Sequence, residues 1–202
     1  YTPSLLFAIK TRLKGKSFFY EFYCKGKKTL DLGCGEGEFL DHDKENMEGV
    51  DLNSRVVARL KREGYKVREG SVTNIPCADN MFEVVYCHNV IEHVDIDAAY
   101  KLLKEANRVL KKGGHLVLSS ETVTKKFWDT FGHVKPYPPE AVIKLLRPDS
   151  REEFDGIENF EPAGLFYIGE YYKNKVLYLL SFVIGFCTPF MRREYFLILQ
   201  KK

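Results

Sequence analysis

The 202-residue sequence lacks most of the features that mark specialised protein classes. Its five cysteines, Cys24, Cys34, Cys77, Cys87 and Cys187, are odd in number, and no two sit at metal-ligand spacing. That argues against a disulfide framework and against a zinc site. A reducing cytosol, and so a cytoplasmic protein, is the simplest reading. Neither sign of charge dominates: 31 basic and 28 acidic side chains leave a net charge of +3. A nucleic-acid partner would call for a strongly basic face, so none is expected. There is no internal repeat and no low-complexity linker, and the start at Tyr1 carries no secretory signal pattern. The longest apolar run, residues 176–190, falls short of the roughly 20 residues that span a bilayer. It reads as a buried or edge-packed helix. A membrane-surface helix is the less favoured alternative, given Arg192, Arg193 and the flanking aromatics.

What is present is alternation. Residues 1–26, rich in aromatics and lysine, read as one or two leading helices. Residues 28–32 read as a short buried strand and 39–44 as a short helix. Residues 48–52 read as a second strand, 54–63 as a helix ending at Gly64, and 65–68 and 82–87 as further strands. The best-defined helix carries Ala99, Leu102, Leu103, Ala106, Val109 and Leu110 at helical spacing. Asp95 or Asp97 can cap its start, Lys111 and Lys112 suit its negative end, and Gly113 is expected to terminate it. Residues 115–119 read as a fifth strand. A short helix follows, with Pro139 near its start and Pro148 as its stop. Residues 165–168 and 195–199 read as closing strands around the apolar run. The predicted class is α/β: a doubly wound, mostly parallel seven-stranded sheet with helices on both faces and an antiparallel closing strand. Ligands of such sheets bind beyond the carboxyl ends of the strands, at the switch point.

One loop stands at that place. Gly33, Gly35 and Gly37 follow the first strand, and Asp51 lies at the tip of the second. Glycine lets backbone approach a ligand closely, and a carboxylate at that tip can accept both hydroxyls of a ribose. A dinucleotide fold requires G-x-G-x-x-G, with a pyrophosphate on the helix N-terminus. Here Glu38 occupies the last position, and Glu36 and Glu38 would repel a pyrophosphate. A nucleoside ligand bearing a sulfonium cation tolerates those acids.

Between residues 27 and 120 the chain resembles the class I S-adenosylmethionine-dependent methyltransferases, especially the small-molecule type 11 group with its Rossmann-like fold. The resemblance rests on Leu30-Asp31-Leu32-Gly33-Cys34-Gly35-Glu36-Gly37, Gly49-Val50-Asp51-Leu52-Asn53, and Gly70-Ser71-Val72 with Ile75-Pro76. It continues through residues 82–93, which end Asn89-Val90-Ile91-Glu92-His93, and the helix ending near Arg108 and His115. Gly132-His133-Val134 and Tyr137 are a looser likeness. The resemblance implies a cofactor, S-adenosylmethionine, leaving as S-adenosylhomocysteine. It implies that the backbone at Gly33 and Gly35 holds the methionine part, with Cys34 between them and Asp31 orienting the loop. It puts Asp51 on the ribose, Leu52 on the adenine, with Asn53 next to it, and Ser71 and Val72 at the adenine edge. His88 would present its carbonyl to the methionine amine, Asn89 follows it, and His93 would brace the site. Ser71 departs from the family, which often has Asp there, so that contact would be lost or water-mediated.

Transfer to a hydroxyl needs a proton acceptor, and histidine suits that near neutral pH. His133 and His88 are the catalytic candidates. His115 starts a strand on the far side and is set aside. Phe127, Trp128, Phe131, Tyr137 and Tyr167 are candidate walls of an apolar acceptor pocket, or else ordinary core. Nucleic-acid acceptors are disfavoured: the residues after the fourth strand, His88-Asn89-Val90-Ile91, lack the Pro-Pro-aromatic pattern of base-amine enzymes. Cys87 follows Tyr86 rather than proline, which reads as a buried thiol. No carboxylate cluster suggests a metal, and none is expected. The chain is expected to be one domain: 1–26 a leading helical segment, 27–120 the cofactor core, 121–164 a cover over the acceptor, and 165–202 the closing strands and apolar helix. The expected partner is a small-molecule acceptor methylated on oxygen or nitrogen, with the protein a monomer or homodimer. A non-catalytic cofactor-binding sensor or partner subunit, and a protein or lipid-precursor methyltransferase, are the alternatives.

Overall fold

The computed structural model describes residues 16–147, 154–169 and 192–202. The apolar run 176–190, the first 15 residues and Pro148 lie outside them. Seven strands form a single sheet: β1 (Thr29–Leu32), β2 (Met47–Asp51), β3 (Val67–Glu69), β4 (Phe82–His88), β5 (Leu110–Glu121), β6 (Phe160–Gly169) and β7 (Arg192–Lys201). Their order is β3-β2-β1-β4-β5-β7-β6. Strands β1 to β5 pair in parallel, and β7 runs antiparallel to both β5 and β6. The expected antiparallel closing strand is therefore β7, and the direction of the order reverses between β1 and β4.

The helices cover both faces. The described part of the leading segment holds one helical turn, α1 (Lys16–Phe19), running into a wider turn at Tyr20–Cys24. It packs with α2 (Ser54–Arg62) on one face, where Phe18, Phe19, Val57 and Leu60 meet Met47, Tyr86 and Phe196. On the other face α3 (Ile96–Val109) buries Ala99, Leu102, Leu103, Ala106 and Val109 against Leu30, Val85 and Leu116. A short α4 (Lys125–Trp128) and α5 (Pro139–Leu145) follow β5. Side-chain caps fix where the longer helices begin. Asn53 accepts from the amides of Arg55 and Val56, and Asp95 accepts from that of Ala98 at 2.9 Å.

The strands expected at 65–68, 115–119, 165–168 and 195–199 lie at Val67–Glu69, Leu110–Glu121, Phe160–Gly169 and Arg192–Lys201, and two helix boundaries move as well. The helix expected at 39–44 shrinks to one turn, Leu40–His42, because Asp43 turns the chain by accepting from the amides of Glu45 and Asn46. Helix α3 stops at Val109, not at Gly113. Leu110 is already extended and paired with Phe82, and Gly113, at φ +76°, shapes the detour that follows before β5 resumes its register at His115.

Candidate cofactor and acceptor site

The loop after β1 and the end of β4 meet where the strand order reverses. Gly33, Gly35 and Gly37 have φ of +78°, +49° and +87°, a region that side chains with a Cβ rarely enter. Gly33 has a second constraint, since a Cβ there would lie 2.5 Å from Val90 Cγ2. The amides of Gly33 and Cys34 both donate to the carbonyl of Val50, at 2.8 and 3.1 Å, which folds the loop towards β2. Asp51 holds it there. Its Oδ2 accepts from the Gly35 amide at 2.9 Å and its Oδ1 from the Asn53 amide at 2.8 Å. Each carboxylate oxygen keeps a further lone pair for a ligand hydroxyl. Leu52, the adjoining residue, is 74% exposed, unusual for a large apolar side chain at a strand tip.

A cleft of about 210 Å³ opens above this loop, lined by Asp31, Gly33, Cys34, Gly35, Glu36, Glu38, Phe39, Tyr86 and His88. Three of these are acids and none is Lys or Arg. Phe39 stacks on Tyr86 with ring centroids 3.6 Å apart. Tyr86 Oη is buried and has no hydrogen-bond partner among the described residues. Burial pushes its hydroxyl well above the usual range, with Asp31 and Glu194 adding to the effect, so it remains a donor. Cys34 is buried, which together with Asp31 and Asp51 pushes its thiol up to about 12.

His88 closes the cleft. Its Nδ1 lies 2.6 Å from Ser119 Oγ and 3.0 Å from Glu194 Oε1. The Glu194 contact is an ion-pair approach rather than a hydrogen bond, since its Oε1 has no hydrogen-bond partner among the described residues. The carboxylate is therefore a charge beside the ring, while Ser119 fixes its orientation. Tyr86 and Phe196 flank the ring. The next residue, Asn89, takes φ +51°, a left-handed turn that carries the chain from the end of β4 into the Ile91–His93 turn.

That turn meets the segment after β5. His93 Nδ1 is 2.8 Å from the carbonyl of Gly132, and His133 Nδ1 is 2.9 Å from that of Phe127. The two imidazoles lie edge to face, 4.9 Å apart. Glu92, wholly buried, joins them: one ligand atom from each of Glu92, His93 and His133 lies within 4.8 Å of the others. Burial pushes the Glu92 carboxyl up, partly opposed by its own amide, His93, Ser120 and His133. Neither of its oxygens has a partner in hydrogen-bond geometry among the described residues.

The remaining candidates divide. Asp31, Gly33, Cys34, Gly35 and His88 share the cleft, and Asp51 reaches it through Gly35. Ser71 does not: its Oγ bonds Thr73 Oγ1 at 2.8 Å and accepts from the Thr73 amide at 3.1 Å, so the hydroxyl serves its own turn. Val72 packs on the core, and Asn53 caps α2. The five aromatics do not form one pocket. Trp128 and Phe131 are exposed, and Phe127 is buried against His133. Tyr137 lines a hollow of about 260 Å³ with Ile91, Tyr100 and Phe154, whereas Tyr167 lines another of about 250 Å³ with Glu121, Glu140 and Tyr195. His115 sits in β5 against Tyr23, and burial lowers its basicity. Cys87 is wholly buried and its thiol is pushed far up by that burial. Sequence reasoning missed Tyr86, Glu92 and Glu194 as site residues. Only Glu194 left a trace, as an acid at the mouth of an apolar strand.

Sequence and fold are both similar to those of known proteins. Residues 30–118 match the family model described as a methyltransferase domain. A probable S-adenosylmethionine-dependent methyltransferase of Mycolicibacterium smegmatis is 30% identical over 157 residues, 70% of this chain and 58% of that protein. A ubiquinone biosynthesis O-methyltransferase of Pseudomonas aeruginosa is 34% identical over 105 residues, 47% of this chain and 44% of that protein. The chain thus spans about half the length of these curated relatives. Among solved structures, a SAM-dependent methyltransferase from Archaeoglobus fulgidus superposes with a TM-score of 0.67 at 21% identity, over 98% of this chain and all of that one. Residues 30–118, somewhat under half of the chain, are thus similar to methyltransferase domains, and the fold is that of the Archaeoglobus methyltransferase. No helix among the described residues is long and apolar enough to cross a membrane.

The cleft fits that family's cofactor. Its acids suit a ligand carrying a sulfonium and an ammonium, its glycines admit backbone approach, and Tyr86 Oη offers a donor that has no partner among the described residues.

Proposed function

We propose that the protein transfers a methyl group from S-adenosylmethionine to an oxygen or nitrogen of a small molecule, releasing S-adenosylhomocysteine. The observation that carries this reading is the acidic cleft above the Gly33–Gly37 loop with Asp51 at its edge. In this reading Asp51 takes the ribose hydroxyls, Leu52 lies against the adenine, and Asp31 with Tyr86 receives the amino-acid end. Residues 27–120 serve as the cofactor core and 121–164 as the cover over the acceptor. The bound sulfonium activates the methyl carbon, so the chain's task is to place an acceptor in line with it. His88 takes the acceptor's proton: Ser119 and Glu194 occupy the Nδ1 side, which leaves Nε2 for it. The printed name of the Pseudomonas relative, an O-methyltransferase, supports oxygen as the accepting atom. The four free cysteines among the described residues, Cys24, Cys34, Cys77 and Cys87, suit a reducing cytoplasm.

The experiment is incubation of the purified protein with methyl-labelled S-adenosylmethionine and fractionated small-molecule extract. A labelled small product that disappears with Asp51→Ala supports the proposal. Cofactor binding with no labelled product across fractions favours the sensor reading, and label in protein favours a protein acceptor.

A further inference from the structure

We propose that Glu92, His93 and His133 form a binding site for a divalent first-row transition ion such as zinc or manganese. Sequence spacing conceals it, because the third residue lies 40 positions after the second and reaches it only through the turn after β5. Four observations carry the inference. The ligand atoms of the three side chains lie within 4.8 Å of one another, a separation that one ion can bridge. Both imidazoles have an Nδ1 facing a backbone carbonyl, His93 to Gly132 and His133 to Phe127. A carbonyl only accepts, so each Nδ1 carries the hydrogen and each neutral ring is left with a bare lone pair on Nε2. That is the arrangement by which proteins orient metal-binding histidines. Finally, Glu92 is 0% exposed and neither of its oxygens has a hydrogen-bond partner among the described residues, although a buried carboxylate ordinarily needs one.

Two imidazoles with one carboxylate favour borderline first-row ions over magnesium or calcium, which prefer all-oxygen shells. Three protein ligands leave coordination positions open. The site lies where the turn after β4 meets the segment after β5, and the amide of Val134 donates to the Glu92 carbonyl at 2.8 Å. An ion there ties the covering segment to the sheet. Its open positions would take an oxygen or nitrogen of the acceptor and make that atom easier to deprotonate. This last role rests on the proposed methyl transfer; binding of the ion does not.

The test is titration of cobalt(II) into chelator-treated protein, read by visible absorption, with zinc competition by calorimetry. We expect one ion per chain and a ligand-field band that zinc abolishes. His133→Ala, His93→Ala and Glu92→Gln should each weaken binding about tenfold or more. In the same samples S-adenosylhomocysteine should still bind, which shows that the variants are folded and reports separately on the cofactor site. Absence of stoichiometric cobalt or zinc binding in the wild-type protein would overturn the proposal. So would equal affinity in folded His133→Ala protein, which would locate any bound ion elsewhere.

Discussion

The Asp51 carboxylate and the Gly35 amide are joined by a 2.9 Å hydrogen bond that spans the tips of two neighbouring strands. The same side chain therefore shapes the glycine loop and faces the ligand. Loss of Asp51 removes a charge-assisted bond from the loop as well as the ribose contacts, and the cofactor site responds to both.

Gly33→Ala tests the loop's shape. The new Cβ would have to enter a positive φ and would meet Val90 at 2.5 Å, leaving no room to relax within the loop. We expect a loss of about 1–3 kcal/mol in stability, seen as a drop of several degrees in the thermal midpoint, together with loss of cofactor binding. Gly35→Ala has open space around its Cβ and should cost less stability.

Glu194→Gln tests the His88 arrangement. The amide keeps the shape but removes the charge 3.0 Å from Nδ1. Steady-state kinetics should show kcat lower by about 10- to 100-fold, below the roughly 100- to 10,000-fold of general acid–base catalysis because Glu194 only supports the base, with cofactor affinity unchanged. Equal losses in kcat and cofactor affinity would point to a purely structural role.

Glu92→Gln tests the buried carboxylate through pH. Burial holds this carboxyl above its ordinary value of 4.5, so the folded chain retains a proton that the unfolded chain releases. Native stability therefore falls as pH rises from about the unfolded value through the raised one. In metal-free protein, Glu92→Gln should raise the thermal midpoint at pH 7 and leave it near the wild-type value at pH 4. Added zinc should narrow the difference at pH 7 by stabilising the wild type. Thermal melts at the two pH values, with and without zinc, check both signs.

These residues also mark what the sequence made legible. The Asp31 to Gly37 loop, Asp51 and His88 could be placed because each lies at the carboxyl end of a strand recognisable from its own neighbours. The same holds for α3, whose apolar stripe and Asp95 cap are local signals. What escaped depends on register between distant strands. His88 meets Glu194 because β4 pairs with β5 at Ser119, and β5 pairs with β7 at Phe196, two residues beyond Glu194 along the strand. His133 meets Glu92 through a loop whose backbone bonds no periodicity encodes. The aromatic residues misled for a related reason. Phe127, Trp128 and Phe131 cluster in sequence, yet a four-residue helix buries the first and exposes the second, and Phe131 lies exposed in the turn after it.

The most direct measurement is calorimetric titration of S-adenosylhomocysteine into the wild-type protein and into Asp51→Ala. The account predicts one site per chain in the wild type, and affinity lower by about 10- to 100-fold in the variant, matching roughly 1.5–3 kcal/mol for hydrogen bonds to a charged group. A wild-type protein that binds no S-adenosylhomocysteine, or a folded Asp51→Ala variant that binds it equally well, would contradict it.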